Sequence, residues 1–141
     1  MTTSNLIDGR AIAEQIHADT SERIAHLKAR GLQPGLAFVR VGEDPASRVY
    51  VGMKERISGR LGIRSETQVL PAATTEAELL ALLARLNADP RIHGILVQAP
   101  LPKQINPARV YATVLPQKDV DGFHPENVGK LLLGDRSGFA P

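Results

Sequence analysis

Residues 92–97 make a short run that is apolar at most positions and ends abruptly at Gln98-Ala99-Pro100. Such a run suits a central strand of a parallel sheet, buried on both faces. A second run, Leu36-Ala37-Phe38-Val39-Arg40-Val41, follows Pro34-Gly35 and reads as another mostly buried strand. Helical patterns separate these runs. Segment 9–30 places Ile12, Ile16, Ile24 and Leu27 near one helical face and stops at Gly31. Asp44-Pro45 supplies an N-cap and a first-turn proline for a helix over 45–61, which Gly62 closes. A short strand over 66–70 and a Leu/Ala-rich helix over 75–87, opened by Thr74 or Thr75, come next. A weaker helix is expected over 107–114, and another begins near Pro125.

This alternation predicts an α/β fold: a three-layer domain with a mostly parallel sheet flanked by helices. Ligands of such sheets gather at the carboxyl ends of the strands. The loops to inspect are 42–47, 98–103 and the stretch after Val114.

Composition removes several function classes. At 141 residues, 43% of them apolar, the chain is long enough for one core and shows no repeat that would divide it. With no Cys there is no disulfide framework, no Cys-based zinc site and no thiol nucleophile. His17, His26, His93 and His124 lack metal-ligand spacing, so no metal is expected. The +2 formal charge is spread along the chain, and aromatic residues are only 4% with no Trp, which argues against nucleic acid. No apolar run is long enough to span a bilayer, and residues 1–10 carry no signal-peptide core, so a cytoplasmic protein is expected. The Gly-x-Ser-x-Gly elbow, the phosphate-binding glycine loop and the dinucleotide fingerprint are all absent.

Three stretches carry candidate chemistry. On helix 45–61, Val49, Met53, Ile57 and Leu61 are expected to form the buried stripe, with Ser47, Tyr50 and Lys54 on a neighbouring stripe along its edge. Taken alone, that edge needs no function: Tyr50 caps the core and Lys54 extends into water. In Gly94-Ile95-Leu96-Val97-Gln98-Ala99-Pro100-Leu101-Pro102, an apolar strand runs into a polar amide and a rigid turn. Gln98 there serves either a ligand or the turn's own backbone groups, and either X-Pro bond is open to the cis form. Lys118-Asp119-Val120-Asp121-Gly122-Phe123 is first of all a turn. It could also place one of its two carboxylates inward and one outward.

Together these stretches resemble the bifunctional methylenetetrahydrofolate dehydrogenase/methenyltetrahydrofolate cyclohydrolase family. The pattern Ser-x-x-Tyr-Val-x-x-Lys matches Ser47, Tyr50, Val51 and Lys54, and the other two stretches match Gly94 to Pro102 and Lys118 to Phe123. Ile7-Asp8-Gly9, Val41-Gly42 and Asn127-Val128-Gly129 add to the likeness, which spans essentially the whole chain. Ala99 departs from the usual Leu. Family members continue past residues 138–141 into a Rossmann-type domain that binds NADP or NAD. The chain is therefore read as the N-terminal folate-binding and catalytic domain, residues 1–141, with no cofactor-binding residues of its own.

The resemblance implies folate one-carbon interconversion, which feeds purine biosynthesis. The parent enzyme would oxidise 5,10-methylenetetrahydrofolate with NADP and hydrolyse the methenyl product to 10-formyltetrahydrofolate. Lys54 would be catalytic, Gln98 would tune it, Tyr50 would stack on the folate with its hydroxyl toward the lysine, and Asp121 would grip the pterin. Pro100 and Leu101 would line the substrate site. A partly buried amine beside a cationic ligand is pushed toward its neutral form, able to take a proton. The parent is expected to be a homodimer held largely through the second domain, and this chain alone a monomer with little or no activity. The alternative from another class is a non-catalytic folate-binding or interaction module.

Overall fold

A computed structural model of the chain describes residues 7–138. Most of residues 1–10, and most of the 138–141 end where the resemblance places a continuation, fall outside that range. The described elements are α1 (Gly9–Ala29), β1 (Gly35–Val41), α2 (Pro45–Leu61), β2 (Arg64–Leu70), α3 (Glu76–Ala88), β3 (Gly94–Val97), α4 (Pro107–Thr113) and α5 (Pro125–Leu132), with a 3-10 turn at Pro116–Lys118.

All three strands are parallel, in the order β2-β1-β3. The expectation that residues 92–97 form the central strand is corrected: β1 is central, and among the described residues β3 carries only a single further bridge, from Ile95 to Asp119. Full burial does not require a central place in the sheet. β3 is buried at all four positions because α3 and α4 cover one face and α2 the other, although only one of its edges is fully paired.

Strand alternation divides the core into two layers. Ala37, Val39, Val41, Ile95 and Val97 point toward Leu79, Leu82, Leu83 and Leu86 of α3 and Val110 of α4, the main cluster. Leu36, Phe38 and Leu96 point the other way and meet Val51 of α2. The result is a helix–sheet–helix sandwich of the class expected.

Local signals place the helix ends. Asp44 accepts from the Ser47 N–H at 2.7 Å, Pro45 opens α2, and Gly62, at φ 85°, closes it. Thr75 caps α3 in a capping box with Glu78.

Two helix faces differ from expectation. In α2 the residues turned inward are Ser47, Val51 and Ser58, whereas Val49 is 67% and Met53 41% exposed. A strict four-residue repeat advances about 40° per step around a helix of 3.6 residues per turn. The Val49–Met53–Ile57–Leu61 series therefore winds from solvent to a half-buried flank, while the 47/51/54/58 spacing stays over the sheet. In α1 only Ile24 is buried, and Ile12 and Ile16 are about half exposed. That helix leans on the C-terminal end of α2, as the 3.4 Å Arg60–His17 contact and the approach of Ile24 and Lys28 to Gly62 show.

Candidate active site

The carboxyl ends of β1 and β3 open toward the loops picked out from sequence. β1 runs into Gly42, whose φ of 85° turns the chain toward the Asp44 cap. Arg40, its side chain largely buried, donates to the Gly42 carbonyl at 2.6 Å and to Glu43 at 3.4 Å, bracing that loop. β3 runs into Gln98, whose own N–H donates to the Val39 carbonyl at 2.8 Å and so extends the pairing by one bond. The Ala99–Pro100 peptide is cis.

Ser47 and Lys54 of α2 both reach this turn. Buried Ser47 donates from Oγ to the Ala99 carbonyl at 3.2 Å. Gln98 donates from Nε2 to the same carbonyl at 2.8 Å, which aims its Oε1 in the opposite direction. That oxygen lies 3.5 Å from the half-buried Lys54 Nζ. Ser47 and Lys54 are seven residues apart, two helical turns, so tethering one at the turn sets the other over Gln98.

The third stretch separates into structural and exposed parts. Lys118 reaches three carbonyls at the end of α3: Leu86 at 3.2 Å, Asn87 at 2.8 Å and Asp89 at 2.9 Å. It completes the helix terminus. Asp119 is buried and accepts from the N–H groups of Phe123 and His124 and from Asn127 Nδ2. It is therefore the inward carboxylate. Asp121 is the other one, half-buried, with Lys54 the positive charge acting on it. Burial raises its pKa above the ordinary carboxylate value, Lys54 partly offsets that rise, and the neighbouring Asp119 adds to it. Gly122, at φ 68°, makes the turn that follows. Gly94 allows this segment to lie close to β3: a Cβ there would fall on Val120 and within 2.7 Å of Leu36.

Lys54, Gln98 and Asp121 are thus brought together from three loops and elements. Leu101 packs on the edge of the main core beside them, and Pro100 is exposed on the turn. Tyr50 is 54% exposed, and among the described residues no hydrogen bond joins its hydroxyl to Lys54. One residue was not anticipated. Tyr111 of α4 sets its ring 5.0 Å from that of Phe123, tilted 56°, and its hydroxyl feels the Asp121 charge. Helical periodicity identified α4, but nothing local to residues 107–114 connects Tyr111 to a turn ten residues on.

The arrangement sets an amine, held by an uncharged acceptor, near a carboxylate, so it can accept hydrogen bonds on one side and move a proton on the other. The helix N-termini above the sheet meet the chain's own acceptors: Asp44 on α2, Thr75 with Glu78 on α3, and Asn106 with the Glu76 carboxylate on α4. Among the described residues no cluster of His, Cys, Asp or Glu could hold a metal ion, and no helix is long and apolar enough to cross a membrane.

Fold and site together define an α/β domain with a lysine, an amide and a carboxylate gathered at its strand ends. The chain belongs to the tetrahydrofolate dehydrogenase/cyclohydrolase family, whose catalytic-domain profile matches residues 7–121. It is 59% identical over 131 residues to bifunctional protein FolD 2 of Geobacter metallireducens, covering 93% of this chain and 46% of that protein. The bifunctional FolD methylenetetrahydrofolate dehydrogenase/cyclohydrolase of Campylobacter jejuni superposes with a TM-score of 0.93 at 44% identity, over 95% of this chain and 48% of that one. The Trypanosoma brucei enzyme, solved with NADP cofactor and inhibitor, gives 0.92 at 35% identity, over 100% and 48%. The chain spans about half the length of the curated relatives it matches.

Proposed function

We propose that this chain is the folate-binding and cyclohydrolase half of a bifunctional enzyme of one-carbon metabolism. The observation that carries the reading is the half-buried Lys54 amine, set 3.5 Å from the uncharged Gln98 oxygen with the Asp121 carboxylate nearby.

The substrate of the hydrolysis is 5,10-methenyltetrahydrofolate, a cation. Water oxygen bonds to the methenyl carbon and loses one proton, which Lys54 accepts directly or through a second water. The carbon–N5 bond then breaks; N5 leaves with the electron pair and takes a proton back. Loss of the remaining hydroxyl proton completes the formyl C=O on N10, so the net reaction consumes one water and releases one proton. Gln98 holds the amine in place by accepting a hydrogen bond, without the counter-charge that would lock the proton on it. Asp121 accepts paired hydrogen bonds from the amino-substituted edge of the pterin. Tyr50, exposed one turn before Lys54, closes over the folate rings, with Pro100 and Leu101 on the opposite wall.

In the dehydrogenase reaction NADP takes a hydride from the methylene carbon of 5,10-methylenetetrahydrofolate. For that step this chain positions the folate, and the rest of the full-length protein binds the nucleotide. The full-length protein is a cytoplasmic homodimer.

The test is hydrolysis of 5,10-methenyltetrahydrofolate by full-length protein, followed through loss of the methenyl absorbance. Lys54→Met lowers the rate by about 10²-fold or more, the scale of general acid–base catalysis. Unchanged turnover in that variant removes Lys54 from the mechanism.

A further inference from the structure

Tyr111 has no part in the roles above, yet it lies at the same opening. Val110, its neighbour on α4, is fully buried in the main core, and Tyr111 packs on the edge of that cluster alongside Leu101. Its ring meets the half-exposed Phe123, two residues beyond Asp121, at 5.0 Å and 56°. The tilted geometry is the favourable arrangement for two rings and fixes both planes. Burial and the Asp121 charge both raise the Tyr111 pKa, which keeps the hydroxyl protonated, a neutral donor beside a carboxylate. No core requirement calls for a hydroxyl here: α4 is already anchored by Val110, Val114, the Asn106 cap and the 2.6 Å Arg109–Glu76 ion pair.

The geometry points to Tyr111, backed by Phe123, as a positioning residue that holds the Asp121 turn in place and walls the end of the pocket taking the amino-substituted heterocycle. The inference rests on the folate reading above and assigns to that site a residue it does not otherwise use. The ring supplies a flat, polarisable surface beside the carboxylate that grips the ligand edge. The Phe123 contact ties the 121–123 turn to α4, so the carboxylate keeps its direction when the site is empty. Among the described residues no hydrogen bond joins Tyr111 to Lys54 or Gln98, so it acts on binding and leaves the proton-transfer step alone.

The experiment uses the full-length protein with 5,10-methenyltetrahydrofolate and two variants, Tyr111→Phe and Tyr111→Leu. Tyr111→Leu raises KM about five- to tenfold, the scale of one lost aromatic contact, with kcat within about twofold of wild type. Tyr111→Phe keeps the ring and restores most of the loss. Thermal unfolding is run on both variants, because a merely structural role lowers kcat and Tm together in Tyr111→Leu. An unchanged KM in Tyr111→Leu overturns the inference, as does a parallel fall of kcat and Tm. Wild-type protein that fails to hydrolyse the substrate, with Lys54→Met equally inert, overturns the folate reading itself.

Discussion

Lys54 Nζ and Gln98 Oε1 lie 3.5 Å apart although 44 residues separate them in the chain. The amide is aimed by its own second bond, from Nε2 to the Ala99 carbonyl at 2.8 Å. Flipping it would point two N–H donors at an ammonium, so the orientation follows from the partners on both sides. An uncharged acceptor beside a lysine orients the amine without neutralising it.

Gln98→Glu tests that relationship. A carboxylate at this position pairs with the ammonium and holds its proton, so the amine is no longer free to accept one from water. Hydrolysis at neutral pH is expected to fall about tenfold or more. A rate equal to wild type would show that the amide does not govern the lysine.

Asp121→Asn is expected to separate binding from stability. Burial makes the folded carboxyl titrate above its unfolded value of about 3.9, so the folded form binds the proton more tightly. Its stabilising contribution is complete below the unfolded value and is lost as pH rises through the folded value. Asn removes that loss. The Tm of the variant should therefore gain on wild type as pH rises through the acid range and stay ahead at neutral pH, as calorimetry would record. Folate affinity should fall about 10- to 100-fold with the charge-assisted bonds.

Ser47→Ala removes the bond from α2 to the Ala99 carbonyl. That carbonyl keeps its bond from Gln98 Nε2, so no acceptor is orphaned. The cost is about 1 kcal/mol, or about 3 °C in Tm. The looser α2 should lower kcat more than it raises KM, since the displaced group is Lys54; steady-state kinetics would distinguish the two.

Lys118→Met takes the shared donor from the Leu86 and Asn87 carbonyls of α3 and from the Asp89 carbonyl just beyond it, which keeps its bond from the Ile92 N–H. Some of them regain water, so a loss of about 2–3 kcal/mol is expected in urea unfolding. Faster hydrogen exchange should be confined to the end of α3 and the 3-10 turn. A Tm equal to wild type would mean that water replaces the ammonium at no cost.

Much of this molecule can be read from the chain itself. Caps and stops such as Asp44-Pro45, Thr75, Gly31 and Gly62 act through bonds within a few residues, which is why every expected helix and strand lies within a few residues of its observed bounds. The same locality explains the two misplaced faces. Val49 and Met53 have the right polarity for a core, but which stripe of α2 meets the sheet depends on where the helix is tied, and Ser47 ties it to a loop 52 residues away.

The third motif shows the division most clearly. Residues 118–123 look like a turn with spare charges. Only the tertiary structure distributes the roles: Lys118 caps α3, Asp119 closes the turn from inside, and Asp121 is left within reach of the Lys54 charge. The sequence by itself determined the elements and the residue types that chemistry could use, because propensity and capping operate over one or two turns. Strand order, the inward face of α2, the meeting of Lys54 with Gln98 and the place of Tyr111 beside Phe123 were decided only on folding. Those are contacts between segments whose separation along the chain says nothing about their distance in space.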